Sequence, residues 1–316
     1  MIDLNQQIAA LSFPAAPAGL YEPIAYTLAS GGKRLRPQLA LLGAQLFGGN
    51  EQEVLPVALA LEVFHNFTLL HDDVMDKATV RRGRPTVHVR WSENTAILSG
   101  DQMMIEAYKL LARVREDKLP GVLHMFNDMA TGICEGQQYD MDFEQRDQVT
   151  LDEYLEMIRL KTALLLAYAL RMGAYIAGAD DASQQHIFDY GIHLGLAFQI
   201  QDDLLDVYGD EKTFGKAIGG DILCRKKTFM LLTALQKADA VSLRQMIDYL
   251  TSPVMPDHQT VVDITSIYDR LHVRRTAERA IEQYTCQALQ CLQCLPQNET
   301  SVRLHDLAEG LIRRIL

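Results

Sequence analysis

Apolar side chains return every three to four residues along almost the whole chain. Val57, Leu61, Phe64 and Thr68 fall on one helical stripe, Leu155, Ile158, Leu164 and Leu165 on another, and Ile192, Leu196 and Ile200 on a third. No alternating, strand-like pattern of comparable length competes with them. The periodicity breaks at "GGN" (48–50), "EDKLPG" (116–121), "AGADDAS" (177–183), "YGDEKTFGKAIGGD" (208–221) and "TSPVMPD" (251–257), where Gly, Pro and acidic residues favour helix ends and turns. The pattern is that of helices roughly ten to thirty residues long, with no low-complexity linker between them. The pattern therefore predicts one all-α domain over residues 1–316.

Length and charge narrow the function. A chain of 316 residues that is 48% hydrophobic can bury a sizeable core. Its formal net charge of -11 opposes a nucleic-acid surface, which needs a dominant basic patch, so a small substrate is expected. The start, "MIDLNQQIAA", has neither a basic n-region nor an apolar h-region, and the most apolar window, 160–179, is interrupted by Lys161 and Arg171. Neither export nor a membrane span is expected, and the cytoplasm is the expected location. Cys134, Cys224, Cys286, Cys291 and Cys294 make an odd count, which suits reduced thiols. The "CLQC" pair lacks a second pair or a His at ligand spacing, and reads as helical thiols, not as a zinc site.

The chemistry concentrates in two echoing stretches, "LLHDDVMD" (69–76) and "QIQDDLLD" (199–206). Each closes a long apolar helix with Asp-Asp-X-X-Asp, and each leads into a loop rich in Gly and basic residues. On a helix, residues four apart share a face, so Asp72 and Asp76 sit about 6 Å apart along the axis, as do Asp202 and Asp206. Carboxylates at a helix C-terminus repel one another and oppose the macrodipole. A hard divalent cation removes that penalty, and Mg²⁺, which uses one or two carboxylates together with substrate phosphates, suits so sparse a ligand set. One such motif alone reads as a solvated acidic helix end, but two in matching contexts favour a metal.

A phosphate reading calls for cations nearby. They occur as "GGKRLRP" (31–37), "VRRGRP" (80–85), Lys161, "KTFGK" (212–216) and "RKK" (225–227). Arg offers a planar fork for phosphate oxygens and Lys a mobile point charge. Each cluster alone would pass for a solvated loop. Together they supply what a diphosphate needs.

"GGKRLRP", "LLHDDVMDKATVRRGRP", "LKTA" and "FQIQDDLLDVYGDEKTFGKAIGGDILCRKKT" resemble, in order and spacing, the signature regions of the trans-type isoprenyl diphosphate synthases. The likeness runs from about residue 20 to 235. It implies the type I isoprenoid synthase fold, an all-α helical bundle around a deep central cavity whose mouth carries both aspartate motifs, usually as a homodimer. The implied reaction joins isopentenyl diphosphate head to tail (1'-4) with an allylic diphosphate and releases diphosphate. On that resemblance Asp72, Asp76 and Asp202 would ligate three Mg²⁺ ions, with Asp73 and Asp206 assisting. Arg81, Lys161, Lys216 and Lys226 would contact the allylic diphosphate, and Lys33, Arg36, His65 and Arg82 would hold isopentenyl diphosphate. Thr162 and Gln199 match positions beside the reacting carbons. His65 lies two turns before Asp72, and on residues alone it could equally be a satisfied core histidine.

Product length is expected to depend on the helix before the first motif. Phe67 stands five residues ahead of Asp72, roughly 7.5 Å down the axis, and Thr68 four ahead. In the family a large aromatic at the fifth position blocks elongation. The first motif lacks the two-residue insertion of the bacterial farnesyl enzymes, and Phe67 pairs with Thr68 instead of a second aromatic. That combination resembles the geranylgeranyl type, giving a twenty-carbon product, with the fifteen-carbon one as runner-up.

Two other functions compete with this expectation. A class I terpene cyclase shares the fold, but its second metal motif has an Asn/Asp-Ser/Thr-Glu character that "QDDLLD" lacks. A catalytically silent subunit should have lost metal or Lys/Arg positions, and none is missing. Trp91 and the basic run "RLHVRRTAER" (270–279) read as packing and as a solvated helix face.

Overall fold

The computed structural model describes residues 2–209 and 218–313. The chain is all-α. Its helices are α1 (Leu4–Ala9), α2 (Ala18–Leu28), α3 (Leu35–Leu46), α4 (Glu51–Met75), α5 (Val87–Arg90), α6 (Glu93–Leu111), α7 (Leu119–Gln145), α8 (Leu151–Ile158), α9 (Leu164–Ile176) and α10 (Asp181–Tyr208). Further helices follow at Gly220–Leu223, Phe229–Lys237, Ala240–Thr251, His258–Arg270, Val273–Gln293 and Glu299–Arg313.

Two compact units are distinguishable: Met1–Asn127 with Tyr168–Ile187, and Asp128–Ala167 with Phe188–Leu316. In the first unit α4 packs against α3 and α6, and α2 against α6. The sequence accounts for α4 from its first turn. Asn50 caps it by accepting from the Gln52 amide at 2.9 Å, and Glu51 and Glu53 place negative charge at the positive end of the helix. The apolar stripe then disappears into the core, with Val54, Val57, Ala58, Leu61 and Phe64 fully buried. Each large apolar side chain of that set contributes about 1.5–3 kcal/mol by leaving water. α4 is long and apolar enough to cross a membrane, yet 61% of its most apolar window is buried inside this chain, as befits a core helix.

In the second unit the helix Val273–Gln293 packs against Glu299–Arg313 and Phe229–Lys237, and α8 packs against Phe229–Lys237. α8 opens with a capping box. The Thr150 hydroxyl accepts from the Glu153 amide and the Glu153 carboxylate accepts from the Thr150 amide.

Three local features depart from the periodicity reading. The "EDKLPG" break lies further upstream: α6 ends at Leu111, and α7 already begins at Leu119. Pro120 and Gly121 sit in its first turn, where a missing N–H costs nothing and the fixed φ of Pro suits the helix. The "VRRGRP" loop is a small antiparallel hairpin, β1 (Val80–Arg81) and β2 (Arg84–Pro85), turned at Arg82 (φ 51°) and Gly83 (φ 71°). Finally, Arg159–Ala163 winds as a π-turn between α8 and α9. Such turns are uncommon and frequently mark functional segments, and this one carries Lys161 and Thr162.

Candidate active site

In the first unit the cationic loop is organised by a residue that sequence reasoning passed over. Arg34 takes a left-handed backbone (φ 50°) at the start of α3 and turns inward. Its guanidinium lies 2.5 Å from the Glu62 carboxylate and donates to the Leu28 carbonyl at 2.8 Å. Asn66 donates to the same carboxylate at 2.9 Å. Both partners are buried, so removing either would strand a charge away from water. Arg34 thereby serves as the anchor of the loop, while its neighbours Lys33 and Arg36 remain candidates for an anion.

The guanidiniums crowd together. Arg82 donates to the Gly31 carbonyl and approaches the Ser30 hydroxyl at 3.4 Å, which joins the hairpin to the glycine loop. Gly32 permits this: its backbone (φ 131°) is open to glycine alone, and a Cβ there would stand 3.1 Å from the Arg82 guanidinium carbon. The Arg36 Nε is buried without a hydrogen-bond partner. Burial lowers the pKa of Arg36, and Arg82 adds to the effect while Glu62 opposes it. Arg82 is lowered likewise by burial, with Arg34 and Arg81 contributing against Glu62 and Asp73. His65 is pushed well below its ordinary value by burial and then by Arg36, Arg82, Arg81 and Arg34. It is a neutral imidazole at pH 7, able to donate one hydrogen bond and accept another. Several guanidiniums around a neutral histidine, one of them with a buried donor that no hydrogen bond occupies, have the chemistry to bind an anion.

The first aspartate motif ends α4, with Asp76 as its C-cap. Its middle acid faces inward. Asp73 is 5% exposed and accepts from Arg81 Nε at 2.7 Å. Burial raises its pKa, and Arg81 pulls it back. Arg81 also stands 3.6 Å from Asp72, so one guanidinium ties the hairpin to two acids of the motif. Asp72 is half-buried and Asp76 exposed.

The second unit repeats this division of labour at the end of α10. Asp203 is 4% exposed, accepts from the Phe229 amide at 2.9 Å and from Gln199 Nε2 at 3.3 Å, and takes the hydroxyl of buried Tyr154. Burial pushes its pKa up to about 6. In both motifs, then, the second aspartate is held inside, 100° around the helix from the first. The outer acids meet an unforeseen one: the Asp221 amide donates to Asp206 Oδ2 at 3.0 Å. The Asp221 carboxyl is pushed up to about 8, by burial first and then by Asp203, Asp206 and Asp202, against Lys226. Carboxylates that are partly buried and also repel one another are hard oxygen donors whose charge a divalent cation neutralises, so the residues fit Mg²⁺.

Lys161, on the π-turn, donates to Asp140 Oδ2 at 2.6 Å, and Lys226 approaches the same oxygen at 3.5 Å. Burial pushes the Asp140 carboxyl up, but Lys226 and Lys161 outweigh it and leave its pKa below the usual value. The only sequence signal for Asp140 is an acid within a helix, "EGQQYDMD", with no motif to flag it. Thr162 donates to Gln199 Oε1 at 3.0 Å, and Gln199 reaches Asp203, so these residues form one chain of hydrogen bonds. Two glycines make room for the π-turn: a Cβ at Gly136 would stand 2.5 Å from the Lys161 amide nitrogen, and one at Gly195 2.5 Å from the Ala163 Cβ.

The structure thus gathers Arg36, His65, Arg81, Arg82, Asp72 and Asp73 in one unit, and Lys161, Thr162, Gln199, Asp202, Asp206 and Lys226 in the other. Lys216 lies outside the described residues. Phe67 is half-buried in an aromatic row with Phe64 and His71, at ring-centroid distances of 5.5 Å and 4.8 Å, and Thr68 donates to the His65 carbonyl at 2.8 Å. Among the described residues no disulfide links the five cysteines, and Trp91 packs edge-on against Tyr26 at 5.2 Å.

Comparison with known proteins agrees with this chemistry. The family model for polyprenyl synthetase matches residues 17–271. A geranylgeranyl diphosphate synthase of Methanosarcina mazei is 43% identical over 223 residues, covering 70% of this chain and 69% of its own. A short chain isoprenyl diphosphate synthase of Methanothermobacter thermautotrophicus is 37% identical over 299 residues, 94% of this chain and 91% of its own. A crystal structure of a geranylgeranyl pyrophosphate synthase superposes with a TM-score of 0.92 at 42% identity, covering 98% of this chain and 95% of that one. The chain belongs to the polyprenyl synthetase family and has its all-α type I isoprenoid synthase fold.

Proposed function

We propose that this protein is a prenyltransferase that condenses isopentenyl diphosphate with an allylic diphosphate, head to tail (1'-4), releasing diphosphate and giving geranylgeranyl diphosphate as its main product. The observation that carries the reading is the presence, in one unit, of a cluster of guanidiniums around neutral His65, with the buried Arg36 Nε unoccupied by any hydrogen bond, together with the aspartate motif of Asp72 and Asp76. An anion-binding nest beside a metal-type acid pair suits a diphosphate substrate handled with a divalent ion.

In this reading Lys33, Arg36, His65 and Arg82 hold the diphosphate of isopentenyl diphosphate and keep its double bond oriented, which replaces a bimolecular encounter by a fixed one. Asp72 and Asp76 in one unit, and Asp202 and Asp206 with Asp221 beside them in the other, would hold three Mg²⁺ ions. When bound, these ions supply positive charge to the leaving diphosphate. Arg81, Lys161, Lys216 and Lys226 contribute to the same stabilisation as the allylic carbon–oxygen bond breaks, and the negative charge stays on the departing group. Asp140 holds Lys161 and Lys226 in place, and Asp73 and Asp203 fix the motif ends. Thr162 and Gln199, hydrogen-bonded to each other, are placed to face the allylic cation with oxygen lone pairs. The new carbon–carbon bond forms at the double bond of isopentenyl diphosphate, and a proton then leaves the intermediate, with the released diphosphate as base. Phe67 sets the depth to which the growing chain extends.

The whole chain, 1–316, is taken to act as one catalytic domain in the cytoplasm. It is further taken to work as a homodimer. The exposed apolar side chains of α6, Ile97, Leu98 and Ile105, offer such a dimer a face to bury. Purified protein with Mg²⁺, labelled isopentenyl diphosphate and farnesyl diphosphate should yield a twenty-carbon diphosphate. Hydrocarbon formed from geranylgeranyl diphosphate alone would instead identify a cyclase.

A further inference from the structure

We propose that His71 is a positioning residue for product length: its imidazole locks the Phe67 ring in the attitude that stops elongation. This rests on the synthase reading above and on Phe67 as the stop. His71 lies one turn after Phe67 on the same helical face, immediately before the first aspartate motif. Their rings meet edge to face, with centroids 4.8 Å apart and planes at 69°. That is the favoured arrangement for an aromatic pair, and it fixes the orientation of each ring as well as adding contact.

The imidazole is itself held from the neighbouring helix. His71 Nε2 lies 3.0 Å from the carbonyl oxygen of Ile97 on α6, so the proton sits on Nε2 and is donated there. Beneath the ring stands Gly100, also on α6, and a Cβ at that position would collide with the imidazole. α6 thus presents one hydrogen-bond acceptor and one bare backbone position to a single side chain. On the other side Phe67 meets Phe64 at 5.5 Å, and Phe64 meets Phe126 at 5.2 Å. Phe64 and Phe126 are fully buried and cannot follow a moving neighbour. Phe67 is therefore clamped between an immovable ring and one that α6 sets. Released from His71, it can rotate away from the chain path, and the stop softens without any change to Phe67 itself.

The test compares product distributions for the wild type, Phe67→Ala, His71→Ala, His71→Phe, Gly100→Ala and the Phe67→Ala/His71→Ala pair, each with Mg²⁺, labelled isopentenyl diphosphate and farnesyl diphosphate. His71→Ala should raise the ratio of twenty-five- to twenty-carbon product roughly two- to tenfold, the factor expected from losing one edge-to-face ring contact. Gly100→Ala, which displaces the imidazole without touching Phe67, should shift the ratio the same way and guards against a His71→Ala protein that fails to fold. His71→Phe, which keeps a ring in place, should restore much of the stop. The double variant should match Phe67→Ala alone, because His71 acts only through Phe67. A general loss of packing would lower total incorporation without moving the ratio, and that result would overturn the proposal. Lengthening by Phe67→Ala with no shift in either His71→Ala or Gly100→Ala overturns it while leaving the synthase and its stop intact. A wild type that elongates nothing overturns both.

Discussion

Arg34 and Arg36 stand two residues apart in one basic loop and do opposite work. Arg34 spends its charge on buried Glu62 and fixes the loop, whereas Arg36 keeps a buried nitrogen with no protein partner. The sequence shows three cations in "GGKRLRP" and gives no sign of which turns inward, because that depends on Glu62, a residue twenty-eight positions away on another helix. The same holds for Asp140, whose value lies in two lysines it meets only after folding. By contrast, Gly32 and Arg82 were legible as motif positions, and the structure supplies the reason they belong together. Gly32→Ala should strain the backbone and press on the Arg82 guanidinium. It should raise the KM for isopentenyl diphosphate about tenfold, one lost charge-assisted contact, with a smaller effect on the allylic KM. Steady-state kinetics with each substrate varied in turn check this. His65 gives a pH prediction. Its folded pKa lies below that of the unfolded chain, so the unfolded state takes up the proton first as pH falls through about 6.5. The stability it contributes above that pH is lost below it. Urea unfolding between pH 7 and pH 5 should show a steeper loss for the wild type than for His65→Gln.

At the scale of elements, helix positions followed from apolar periodicity and the breaks in it, and the acidic ends of α4 and α10 were readable because each motif is local in sequence. The hairpin of "VRRGRP" escaped because its two-residue strands are too short to show alternation. The π-turn escaped because it depends on close neighbours: it exists where Gly136 and Gly195 let the backbone of Arg159–Ala163 approach. Gly136→Ala places a methyl against the Lys161 backbone, which cannot swing aside as a side chain would. It should destabilise the protein by about 1–3 kcal/mol and reduce turnover, because Lys161 moves with the turn. Gly310→Ala is the control. Apart from the adjoining residues and backbone of its own helix, Glu299–Arg313, nothing lies within 4 Å of an added Cβ there, and the change should stabilise by up to about 1 kcal/mol. Denaturant melts of the two variants beside the wild type separate the effects.

For the molecule as a whole, the reaction class was legible because its chemistry needs charged residues in fixed short patterns, and short patterns survive without knowledge of the fold. What holds those patterns in place was not: Arg34–Glu62, Asp140 with its lysines, Tyr154–Asp203 and Asp221 are all long-range partnerships. Ligand binding should show up as global stabilisation. Mg²⁺ with inorganic diphosphate at a hundredfold excess over its dissociation constant should stabilise the folded chain by about 2.7 kcal/mol, and Mg²⁺ alone by less. Asp72→Asn combined with Asp202→Asn should remove most of that gain in a thermal shift measurement. The most direct test of the central claim is the elongation assay itself: purified protein, labelled isopentenyl diphosphate and each allylic diphosphate in turn, with and without Mg²⁺, reading chain length after dephosphorylation. A Mg²⁺-dependent ladder that stops at twenty carbons is expected. A folded protein that adds no isopentenyl unit to any allylic diphosphate would contradict it.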